Sequence, residues 1–274
     1  MKVEFFCPIW GSAHLPLKDF LFRVKESGYE GVEFGFPLGS DLKDGLLKLS
    51  KEFSLHLIAQ QYGAVGETFA EYKADFQNHL EYLSSFDPLF INSQTGKDYF
   101  SFEQNSELIE IAKTIAGKTG IRVLHETHRG KFPFCVTTTA KFVDAFPDIQ
   151  FTADFSHFCA VSESFLEDQT ENLDKVIQHA GHIHARVGHT QGPQVSDPRL
   201  PEWEVAVNHH LKWWDAIVGL HRRNGDERFT VSPEFGPAPY MFSLPGTGEP
   251  VVNQWEVNVY MMDLLRNIYE SDRI

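Results

Sequence analysis

The stretch IRVLHETHRG, residues 121–130, sets apolar residues directly against His125, Glu126, His128 and Arg129. Ile121, Val123 and Leu124 read as a buried strand. A carboxylate at its end costs several kcal/mol unless something compensates it, so partners for Glu126 must come from elsewhere in the chain. Working outward, segments of the same kind recur at residues 3–8 (VEFFCP), 31–35 (GVEFG), 56–61 (HLIAQQ), 89–94 (LFINSQ), 149–155 (IQFTADF), 182–187 (HIHARV) and 229–235 (FTVSPEF). With residues 121–127 they make eight candidate strands.

Helical patterns fill the gaps. In residues 16–29, Leu17, Phe20, Leu21 and Val24 form the stripe of a helix that covers a sheet. Residues 101–120 open on a Ser and Glu suited to capping and stop at Gly120 after Lys118, and residues 254–271 supply a last helix. Eight alternations over 274 residues, roughly 34 each, predict a (β/α)8 TIM barrel, class α/β, as one domain over 1–274. A doubly wound open sheet is the alternative, but no GxGxxG turn follows the first strand. The Pro- and Gly-rich residues 188–207 precede a helix over 208–226. As a loop after a barrel strand they belong at the mouth, a candidate lid or clamp with Gln194 and Arg199 as contacts. His209 and His210 read as surface residues of that helix.

Composition narrows the function. The 24 Lys and Arg against 38 Asp and Glu give a charge of −14, without the basic footprint that nucleic-acid binding needs. Three scattered cysteines, with no CxxC pair, suit free thiols in a reducing compartment. No leader-like N-terminus or long apolar run appears, so a cytoplasmic protein with no membrane association is expected. Whether it forms a homo-oligomer is left open.

Strand parity then assembles a site. Arg122, Leu124 and Glu126 share a face, with His128 continuing it; Thr152 and Asp154 share another, followed by His157. His182, His184 and Arg186 align, as do Thr230, Ser232 and Glu234. Four successive strands thus bring Glu126, Asp154, His184 or His182, and Glu234 to one rim. Three carboxylates and an imidazole would repel one another unless a divalent cation lay among them. Mixed oxygen and imidazole ligands suit Mn²⁺, Mg²⁺, Co²⁺ or Zn²⁺, and parity alone does not separate the two histidines. Asn92, Gln94 and Gln60 offer uncharged amides, and Trp10 and Phe36 could form an aromatic wall.

These motifs resemble the xylose isomerase-like barrel superfamily of sugar isomerases and epimerases. SGYEGVEFG is similar to its second-strand signature ending in Glu33, HETH to its fifth-strand Glu, and DFSH to its Asp-x-x-His. HIHAR resembles its seventh-strand His-x-His and SPEFG its final Glu. The resemblance implies one divalent ion on Glu126, Asp154, His184 and Glu234, with His157 near substrate or a metal-bound water. It implies a carbohydrate substrate, with Glu126 and Glu234 exchanging protons through a metal-stabilised enediolate. His128 and His182 are further candidate substrate contacts, and Glu33 either binds substrate hydroxyls or pairs with a cation of the barrel. Where many members carry His-x-x-Asp, this chain has Arg186 and His189. Arg186 suggests either an anionic or polyhydroxylated ligand, a sugar acid or phosphate, or a partner for Asp154 or Glu126. A phosphodiesterase of the apurinic endonuclease type and a dehydratase-like or non-catalytic descendant are the alternative readings.

Overall fold

In a computed structural model that describes residues 1–270, eight parallel strands pair in sequence order and close into a barrel. They are β1 Lys2–Pro8, β2 Gly31–Phe34, β3 His56–Gln61, β4 Phe90–Ser93, β5 Arg122–Glu126, β6 Phe151–Ala153, β7 Ala180–His184 and β8 Arg228–Ser232. All eight expected strands are present, and β1 closes the ring on β8 through pairs such as Val3 with Phe229. Helices α1 Leu17–Glu26, α2 Lys43–Phe53, α3 Phe69–Ser84, α4 Phe102–Thr119 and α5 Val136–Ala145 follow the first five strands. Helices α6 Phe155–Ser162 and α7 Thr170–Ile177 follow β6; α8 Glu204–Asn224 follows β7 and α9 Gln254–Glu270 follows β8. Ser271, the last residue of the final predicted helix, lies outside the described residues.

Local chemistry explains the boundaries. Thr68 and Glu71 form a reciprocal capping box at the start of α3, and Ser101 with Gln104, rather than the Glu103 of the sequence reading, does so for α4. Gly120 ends α4 at a φ of 75°, a left-handed conformation that a side chain would strain. Most apolar burial lies between the sheet and its helices. Inside the barrel, Phe6, Ile58, Phe90 and Leu124 form a separate cluster that fills the interior. The polar residues of the later strands stand on this apolar plug. Among the described residues, no helix is long and apolar enough to cross a membrane.

Two readings of the β7–α8 connection need correction. A 3-10 turn, Pro201–Trp203, runs straight into α8, so the helix starts earlier than its Pro- and Gly-rich approach suggested. Gln194, expected at the substrate, is buried instead: it accepts from the Gly236 N–H at 2.8 Å and donates to the Gly236 carbonyl at 3.2 Å. Arg199 forks onto Asp197. The loop is therefore pinned to the connection after β8.

His210 is not on the surface either. Its Nδ1–H donates to the Ala206 carbonyl at 2.9 Å, and Nε2 accepts from the Gly188 N–H at 3.2 Å. Burial pushes this imidazole down from 6.5 to about 4. Because the folded value is depressed, the stabilisation is whole above about pH 6.5 and is lost as pH falls towards 4. The loss amounts to about 3 kcal/mol. Urea midpoints should fall across that window, and H210Q should flatten the fall; an unchanged slope would contradict this account.

Candidate metal centre and active site

Each acidic or imidazole side chain at the rim arrives from the C-terminal end of a strand. Glu126 ends β5, His184 ends β7, Asp154 follows β6 by one residue, and Glu234 follows β8 by two. Pairing of Glu126 with Thr152, Thr152 with His182, and His184 with Ser232 keeps these strands in phase. One ligand atom from each of Glu126, Asp154, His184 and Glu234 lies within 4.8 Å of the others, and all four residues are buried.

His184 shows how the cluster is oriented. Its Nε2 stands 3.0 Å from both oxygens of Glu33. Glu33 also accepts from Asn92 Nδ2 at 2.9 Å and Ser232 Oγ at 2.7 Å. Burial alone would raise the Glu33 carboxyl, but the charge of His184 and the close approach of the His182 and His184 rings hold it well below the usual range. With Nε2 committed to Glu33, Nδ1 faces the carboxylates, 2.8 Å from Glu234 Oε2 and 3.9 Å from Glu126 Oε1. Nδ1 is buried, and its close contact with Glu234 is an ion pair of the charged ring. One imidazole and three carboxylates converging in this way fit a divalent ion bound through oxygen and nitrogen, which would take the place of the Nδ1 proton, with Glu33 as the outer carboxylate that fixes the ring.

His182 lies apart from this group. Its Nδ1 is 2.7 Å from Thr230 Oγ1, its Nε2 is 3.6 Å from Glu33 Oε2, and its ring packs on Phe90. Glu33 and His182, both candidate substrate contacts, are at most 1% exposed and stand behind His184 rather than along the cavity.

Arg186 is held within the protein. Its guanidinium bonds Asp154, reaches Ser156 Oγ from Nε at 3.3 Å, stands 2.8 Å from His157 Nε2 and lies 3.6 Å from Glu234. Of the two readings of Arg186, the geometry supports the internal one, with Asp154 and Glu234 as partners. Asp154 also caps α6, accepting from the Ser156 N–H at 3.2 Å. Burial raises its carboxyl despite the guanidinium.

Glu126 is the most perturbed of the carboxyls with a value in the neutral range. Burial, aided by the charges of Glu234 and Asp154, lifts it to about 8 against the opposing pull of His184 and Arg186. Burial lowers the His184 imidazole, but Glu234 and Glu33 outweigh that and hold it well above its usual value. His128 and His157 meet at a tilt, 3.8 Å between ring centroids, and burial drives both down, His128 to about 3. His128 donates from Nδ1 to the Arg129 carbonyl at 2.6 Å and presents its other nitrogen as an acceptor.

A cavity of about 670 Å³ opens over the cluster, lined by Glu126, His128, Arg186 and Glu234 on its polar side. Gln94 donates to Glu126 at 3.3 Å and Gln60 to Glu234 at 3.4 Å, so the amides hold these carboxylates. Trp10 and Phe36 line the cavity, as expected of an aromatic wall, with Tyr62 and Tyr240, which periodicity did not mark. His157 is fully buried beneath His128, away from the lining.

No protein family and no curated protein matches the chain by sequence. Solved structures match along nearly its whole length. The 3-keto-D-glucoside 4-epimerase of Escherichia coli aligns at 15% identity and a TM-score of 0.62, covering 97% of this chain and 100% of that one. A xylose isomerase-like TIM barrel protein of Mycobacterium smegmatis, solved in complex with magnesium, aligns at 12% and 0.62, over 96% and 97%. A family 2 AP endonuclease of Brucella melitensis aligns at 17% and 0.57, over 86% and 93%. At such identities the likeness is one of fold: the chain shares the (β/α)8 barrel of these proteins, a frame that carries more than one chemistry.

Proposed function

We propose that the protein is a divalent-metal-dependent isomerase or epimerase of a carbohydrate-like hydroxycarbonyl compound, working by proton transfer in the cytoplasm. The observation that carries this reading is the convergence of Glu126, Asp154, His184 and Glu234 within 4.8 Å at the mouth of the barrel. A divalent ion held there would supply Lewis acidity to an adjacent carbonyl and stabilise charge developing on its oxygen. The chain's own part is acid–base chemistry. Glu126 and Glu234 reach the cavity from β5 and from beyond β8, two carboxyls offered to one substrate from different strands. Gln94 and Gln60 hold them in line, Glu33 fixes the His184 ring, and the aromatic walls exclude water. The E. coli neighbour's epimerase chemistry supports the reading, and the charge of −14 speaks against a nucleic-acid substrate.

Turnover in D₂O tests it. Metal-loaded protein offered a panel of ketoses, aldoses and ketoglycosides should place solvent deuterium beside the carbonyl of the compound it converts. E126Q and E234Q should each lose about 10²–10⁴-fold in rate. Conversion without deuterium would show a hydride shift and sink the proton-transfer mechanism.

A further inference from the structure

The cavity over the carboxylates is polar at one end only. Its charged lining is confined to Glu126, His128, Arg186 and Glu234. It extends from there towards the first two strands, beneath the β1–α1 and β2–α2 loops, where Ile9, Leu15, Leu17, Pro37 and Leu42 form its walls. About 670 Å³ lies in the range of pockets that take drug-sized ligands, more than a lone sugar ring needs.

The aromatic part of the wall is built in place. A Cβ on Gly236 would come 2.1 Å from the Trp10 ring, and one on Gly35 would come 2.5 Å from the Tyr62 ring, so each indole or phenol lies against bare backbone. Trp10 meets Tyr240 edge to face at 5.1 Å, and Arg186 lies 4.7 Å from the centre of the Tyr240 ring. Tyr62 and Leu42, which line the cavity, nevertheless remain 53% and 42% exposed.

Among the described residues that line the cavity, positive charge is scarce, with Arg129 reaching only the Tyr240 ring, 5.2 Å from its centre. Arg186 is the lone guanidinium or ammonium group of the lining, and Asp154 and Glu234 already neutralise it. A substrate phosphate or carboxylate would instead meet Glu126 and Glu234.

We infer that the substrate is uncharged and carries an apolar or aromatic substituent, as in an aryl or alkyl glycoside, seated against Trp10, Tyr62 and Leu42 while its hydroxycarbonyl part reaches the carboxylates. This deepens the proposed function and rests on it for the placement of the reacting end. The walls determine which substituent is accepted.

Calorimetry with phenyl and methyl glycosides, compared in gluco, galacto and keto-gluco pairs on Mn²⁺-loaded protein, tests the inference. In at least one pair the phenyl compound should bind about 10-fold or more tighter, the increment expected for burying its ring. Y62S and L42S should each weaken the phenyl compound by more than its methyl partner and so shrink that increment, and glucose 6-phosphate should bind no tighter than glucose. Equal binding within every pair, no binding by any pair, or preference for the phosphate overturns the inference. Failure of the metal reading shows separately, as an absence of Mn²⁺ binding in the same titrations before any glycoside is added.

Discussion

Replacing His184 with alanine is expected to weaken Mn²⁺ binding by more than about 100-fold, and replacing Glu33 with glutamine by about 10–100-fold. The order follows from position. His184 Nδ1 is the one nitrogen among the four converging donors, so its loss removes a ligand. Glu33 stands on the far side of the ring, with both oxygens 3.0 Å from Nε2. Glutamine keeps the shape and one acceptor oxygen for Asn92 or Ser232, but it withdraws the charge that steadies an Nε2–H donor and leaves Nδ1 as the lone pair. Calorimetric titration of each purified variant checks this. If H184A binds the ion as the wild type does, the ion is held elsewhere. If E33Q matches the wild type, Glu33 does not orient the ligand.

Much of this site could be read before the fold was seen, because strand parity is rigid. A period of two puts Glu126, His184 and Glu234 on interior faces, and a barrel of parallel strands carries every C-terminal end to one mouth. Depth is what parity lacks. His182 and His184 share a face and differ by one repeat, yet His182 pairs across to Thr152 in the interior while His184 pairs with Ser232 at the rim. Whether Glu33 would meet substrate or pair with a barrel cation stayed open for a similar reason: its donors come from β4, β7 and β8, and no segment near it in sequence reveals them. Tyr240 lies in an irregular connection and carried no periodic signal. His210 did carry one, since Ala206, Trp213, Trp214 and Ile217 mark a buried stripe through it, and the adjacent His209 obscured the pattern.

Arg186 makes the strongest demand on the site, and R186M is expected to destabilise the metal-free protein by about 3–5 kcal/mol. Asp154 and Glu234 are buried at 0% and 3% exposure, and the guanidinium is the permanent charge that offsets them. Methionine fills similar space against Tyr240 and Trp10, so the loss reports the uncompensated acids rather than a cavity. A divalent ion at the same carboxylates would supply the missing positive charge. Saturating Mn²⁺ should therefore stabilise R186M by more than it stabilises the wild type, in urea unfolding followed by far-UV circular dichroism. By linkage the two measurements are bound together: what the ion restores in stability must appear as tighter binding of Mn²⁺ to the variant. Removing a neighbouring cation would then strengthen the site while removing His184 weakens it, a pair of opposite signs that a nonspecific loss of structure would not produce. Equal stability of R186M and wild type, or weaker Mn²⁺ binding by a folded R186M, would show that Arg186 and the ion do not share the same carboxylates.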